Sequence, residues 1–98
     1  MTTVGAGGVV ITGWRPSKRY SKEYRKLTDD LRARVDAKLT DLQQNPRPPG
    51  LGFEKLKGHP DIYTIHVTGN YKISFDIEGG SIAFLRRVAP HDEIDRAP

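Results

Sequence analysis

Apolar residues change their spacing partway along this chain, from a helical repeat to a period of two. Tyr20, Tyr24 and Leu27 fall at i, i+4 and i+7, the repeat of one helix face. Ser17 stands just ahead of them as a cap, so the spacing predicts a helix from Lys18. Lys18, Arg19, Lys22, Arg25 and Lys26 cover its remaining surface. Leu31, Val35, Leu39 and Leu42 carry the repeat into a second segment. Thr28 caps that segment, and Asp29 and Asp30 place negative charge in its first turn, where the helix dipole favours it. Asn45-Pro46 closes it, because a residue before proline disfavours helix. Two amphipathic helices with one short joint predict a helical hairpin.

After the Pro- and Gly-rich loop Arg47 to Gly52 and a less regular stretch from Phe53 to Pro60, the period becomes two. Tyr63, Ile65 and Val67 alternate with Thr64 and His66. Thr68-Gly69-Asn70 turns the chain. Tyr71, Ile73, Phe75 and Ile77 then alternate with Lys72, Ser74 and Asp76. A second turn, Glu78 to Ser81, leads to a third strand from Ile82 to Val88. Residues 8–12 (GVVIT) are rich in β-branched side chains and predict a short strand along the sheet edge. The expected order is β-α-α-β-β-β, an α+β fold. Its antiparallel sheet carries the N-terminal helical hairpin on one face and leaves the other partly open, bearing His66, Lys72, Ser74 and Asp76.

Composition narrows the function classes. The chain has 98 residues, 16 Lys and Arg against 12 Asp and Glu, and no cysteine. That length fits one domain, expected over 9–98, with 1–8 as a disordered lead-in rather than a signal peptide. The net positive charge suits a polyanionic partner. Without cysteine there is no disulfide, no CxxC redox motif and no thiolate zinc site, which fits a reducing cytoplasm. No apolar run approaches the roughly 20 residues a membrane span needs, so no membrane partner is expected.

Three segments, LQQNPRPPGLGFEKLKG (42–58), IYTIHVTGNYKISFDI (62–77) and LRRVAPHDEIDRAP (85–98), together resemble the RelE/ParE superfamily of type II toxin–antitoxin systems, in its RelE/YoeB-like form. The ordered series carries the resemblance rather than any single element. It implies a RelE-like, microbial-ribonuclease-like fold and a toxin with a cognate antitoxin as partner. It also implies a ribosome-dependent mRNA endoribonuclease that inhibits translation in the cytoplasm, with ribosome and mRNA as partners. The alternative within the superfamily is a ParE-like inhibitor of DNA gyrase without nuclease activity.

Cleavage by attack of a ribose 2′-OH on the adjacent phosphate needs a base, an acid and a cation for the transition state, but no metal or other cofactor. The resemblance assigns Glu54 as the base, since YoeB-like members place a glutamate at the matching position. It assigns Lys72 as the phosphate clamp, where RNA-cleaving members usually carry arginine; lysine offers a point charge rather than a fork. His91 is the candidate general acid, a role for which histidine as a residue type is suited. Lys55, Lys57, His66 and Arg87 complete the expected RNA-binding set. Arg87 is chosen over Arg86 because Ile82, Phe84 and Arg86 form one alternating set. Asp95 stands where many relatives carry an aromatic, and it cannot stack a base.

Overall fold

A computed structural model describes residues 9–98. In chain order the elements are β1 (Gly13–Pro16), α1 (Lys18–Arg25), α2 (Asp29–Leu42), β2 (Glu54–Leu56), β3 (His59–His66), β4 (Tyr71–Glu78), β5 (Ile82–Pro90) and α3 (His91–Arg96). The five strands form one sheet in the order β1-β5-β4-β3-β2. The fold is α+β, and its sheet is antiparallel except at one edge, where β1 runs parallel to β5.

Both helix starts follow from the cap chemistry. Ser17 Oγ accepts the Tyr20 amide at 3.0 Å and Thr28 Oγ1 accepts the Leu31 amide at 3.2 Å, each satisfying an amide that lacks a partner within its helix. Tyr20 of α1 and Val35, Leu39 and Leu42 of α2 join one buried cluster with Ile65, Ile73, Phe75, Leu85 and Val88 of the sheet. The period-two residues of β3 and β4 thus supply the sheet side of the core. Tyr24 of α1 donates to both Asp36 carboxylate oxygens at 2.9 and 3.0 Å and ties α1 to α2.

Three expectations need correction. The first strand begins at Gly13, after the β-branched run, with Gly13 paired to Ile82. β5 itself starts at Ile82, so residues 9–12 have no strand alongside them among the described residues. Ile11 is buried in the core and the Thr12 amide donates to the Ser81 carbonyl. Gly8 and the lead-in expected over 1–8 lie outside the described residues. The stretch 53–60 contains a real strand, β2, joined to β3 with a shift of register after Lys55. The tail forms α3, which packs against β4 and β5 with Ile94 fully buried. The second sheet face is therefore covered rather than open: Thr64 and Ser74 are 0% exposed, Lys72 8% and Arg87 5%.

Candidate functional site

The β3–β4 hairpin sets out the polar face in pairs, His66 opposite Lys72 and Thr64 opposite Ser74. Its turn is held by Thr68 Oγ1, which accepts the amides of Asn70 and Tyr71. The same turn docks α3: the His91 amide donates to the Asn70 carbonyl at 2.8 Å. This anchor brings the His91 ring edge-on to His66, with centroids 4.8 Å apart and planes at 80°. His91 Nε2 lies 3.3 Å from the Tyr71 carbonyl. A carbonyl only accepts, so Nε2 carries the hydrogen and Nδ1 is the nitrogen left to exchange protons. On the other side of His66 lies Gly52, at φ +69°, where a Cβ would run into the imidazole. Only glycine meets both demands at this position.

Burial lowers the His66 pKa, and the adjacent His91 and Lys72 act in the same direction, while Glu54 and Asp95 oppose them. The ring is therefore neutral at pH 7, which suits proton acceptance better than holding an anion. Glu54 lies opposite Thr64 on β2 and so shares the His66 and Lys72 face. Lys72 Nζ bonds Asp95 Oδ1 at 3.1 Å; the lysine side chain is 10% exposed and the aspartate 53%. Glu54, Lys55, Leu56, Lys57, Lys72 and Asp95 line a single depression of about 360 Å³. Lys55 also places its ammonium 5.9 Å from the centroid of the Tyr63 ring.

Of the residues expected from sequence, the structure gathers Glu54, Lys55, Lys57 and Lys72 around this depression, with His66 and His91 in contact with each other nearby. Arg87 stands apart. Its guanidinium donates to Glu23 at 3.0 and 2.5 Å, to Glu93 at 3.2 Å and to the Ala97 carbonyl at 2.9 Å. Hydrogen bonding to Glu23 raises its pKa against the opposing effect of burial. These bonds commit Arg87 to joining α1, β5 and α3. Simple alternation mistakes the relation between Arg86 and Arg87, because a bulge intervenes: Ser74 faces Arg87 while Phe75 faces Leu85. The extra residue, Arg86, pairs instead with Asp76 at 3.2 Å. Both arginines thus leave the core face.

Sequence reasoning did not foresee Asp95 as the partner of Lys72, Gly52 as the seat of His66, or Glu23 as the partner of Arg87. The Gly-Leu-Gly run is the one local signal, and by composition it marks Gly52 only as loop. Among the described residues no group of three or more His, Cys, Asp or Glu side chains is placed to hold a metal ion, and no helix is long and apolar enough to cross a membrane.

No protein-family model matches the chain, and no curated protein matches it by sequence. Solved structures do. The RelB–RelE antitoxin–toxin complex from Methanococcus jannaschii contains a chain 27% identical, with a TM-score of 0.65 over 85% of this chain and 98% of that one. The intact RelBE toxin–antitoxin complex of E. coli gives 27% identity and a TM-score of 0.63 over 81% and 95%. A free mutant form of E. coli RelE, at 23% identity and a TM-score of 0.63 over 92% and 99%, shares the fold. With that fold in common and RelE chains matched over nearly their whole length, this chain is a RelE-like member of the RelE/ParE superfamily.

Proposed function

We propose that the chain is the toxin of a type II toxin–antitoxin pair and acts in the cytoplasm as a ribosome-dependent, metal-independent mRNA endoribonuclease. The observation that carries this reading is the depression in which Glu54, Lys55, Lys57 and Lys72 converge, with the His66–His91 pair beside it. A carboxylate, an imidazole pair and three ammonium groups are the components that metal-free phosphodiester cleavage uses. In the proposed step the 2′-oxygen bonds to phosphorus and the bond from phosphorus to the 5′-oxygen breaks, leaving a cyclic phosphate and a 5′-hydroxyl. The 2′-OH proton passes to Glu54, Lys72 faces the charge on the phosphoryl oxygens, and protonated His91 gives its Nδ1 proton to the leaving oxygen. Neutral His66 serves this exchange by packing against His91. Lys55 and Lys57 hold the flanking phosphates.

A cognate antitoxin is the proposed protein partner, supported by neighbours described as antitoxin–toxin complexes. The same neighbours are named RelE and do not favour the gyrase-inhibitor alternative. Primer extension on programmed ribosomes tests the nuclease. Parent protein cuts mRNA, while Lys72→Ala and His91→Ala each lose on the order of a hundredfold or more in rate and keep cooperative thermal melts. Uncut mRNA with the parent, or equal cutting by both folded variants, sinks this reading.

A further inference from the structure

The depression holds its main cation in an occupied state. Lys72 is the most buried of the three lysines, and among the described residues its ammonium has one hydrogen-bond partner, Asp95. The two ends of this pair differ. Lys72 comes from the middle of the sheet and is nearly enclosed; Asp95 projects from a six-residue helix and is more than half exposed. A buried ammonium without a counter-ion is costly, so Lys72 needs an anion whether or not a ligand is present. The exposed carboxylate gains little from the pair and rehydrates cheaply when it leaves. It also lines the same depression as Glu54, Lys55 and Lys57, where an arriving phosphate would lie. Arg87, on the same sheet face, shows the opposite design: two glutamates and a backbone carbonyl engage all three of its nitrogens.

We infer that Asp95 is a positioning residue: its carboxylate holds Lys72 in place in the resting protein and is exchanged for a phosphodiester when substrate binds. The inference rests on reading the depression as a phosphate site, but not on cleavage taking place there. Its consequence is that Asp95 lowers affinity for phosphodiesters in a way that depends on Lys72. Its position in the sequence, where a stacking aromatic was expected, then reflects control of the clamp rather than simple loss of a base contact.

Fluorescence anisotropy with a short single-stranded deoxyoligonucleotide tests this at fixed ionic strength, because a ligand without 2′-OH binds without being consumed. Asp95→Asn should tighten binding about two- to fivefold, and Asp95→Glu should behave as the parent does. Asp92→Asn removes the same charge from the same helix at an exposed position and should change affinity by less than about 1.5-fold. In a Lys72→Gln background, Asp95→Asn should have no effect. The inference is overturned if Asp95→Asn binds no tighter than the parent, or if Asp92→Asn matches it. Persistence of the effect without Lys72, or no measurable binding by any of the proteins, overturns it equally. Thermal melts establish that each variant is folded. The expected pattern alongside uncut mRNA on ribosomes removes the nuclease reading and leaves the exchange standing. Cutting by the parent with no Asp95 effect does the reverse.

Discussion

The two faces of the sheet are both buried, but by different means. On one, Ile65, Ile73, Phe75, Leu85 and Val88 are at most 2% exposed and meet Tyr20 and the α2 leucines in a single apolar cluster. On the other, Thr64, Lys72, Ser74 and Arg87 are buried where α3 packs against β4 and β5, and two of these four carry charge. The apolar face needs volume and shape, which many residue combinations supply. The polar face needs particular partners, because each buried charge must be matched. The proposed chemistry lies on the face where burial is expensive, and α3 is the element that both covers it and supplies His91 and Asp95.

The largest effect should come from the apolar face. Phe75 is fully buried and packs against Phe53 and Tyr63 at centroid distances of 5.5 and 5.9 Å. Phe75→Ala should cost about 4 kcal/mol in urea denaturation. A loss below about 1 kcal/mol would mean that this face is not the main source of stability. Arg87 gives the matching test on the polar face. Arg87→Met strands Glu23 and Glu93 and should cost about 3 kcal/mol. Adding Glu23→Leu should recover part of that loss, since the orphaned charge goes with its partner. Recovery stays incomplete because the Val88 amide loses Glu23 Oε1 as its acceptor. A neutral Arg87→Met would erase the distinction between the faces.

The same contrast explains what could be read from the sequence. Alternation in 63–67 and 71–77 reports a half-buried strand directly, and Ser17 and Thr28 announce helix starts by local chemistry. These elements, and with them the apolar core, were legible. β2 is only three residues long and exists because β3 extends far enough to pair with it. The segment of α3 holds a single apolar residue, Ile94, too few to show a period. The bulge that redirects Arg86 and Arg87 depends on how β5 meets β4. The site divides likewise. Lys72 and His66 were placed by alternation, and Glu54 and His91 by resemblance. The Lys72–Asp95 and Arg87–Glu23 pairs join positions 23 and 64 residues apart, and no local pattern encodes such pairings.

A smaller effect separates the faces by pH. His66 is the group on the polar face whose folded pKa lies below the ordinary value of about 6.5, chiefly through burial, with His91 and Lys72 adding and Glu54 and Asp95 opposing. As pH falls through about 6.5 the unfolded chain takes up a proton on this ring while the folded protein does not. Protonation therefore favours unfolding. The stability linked to neutral His66 is fully present above that pH and is lost as pH drops toward the lower folded value. His66→Gln keeps a polar side chain but removes the titration, so the parent should lose stability relative to this variant between pH 7.5 and 5. Urea melts of both proteins across that range give the difference curve. Phe75 carries no ionisable group, so the Phe75→Ala offset should stay constant over the same melts. Parallel curves for parent and His66→Gln would mean that the imidazole titrates alike in the folded and unfolded chain. In that case α3 does not bury the ring, and the two faces differ in composition but not in what their burial costs.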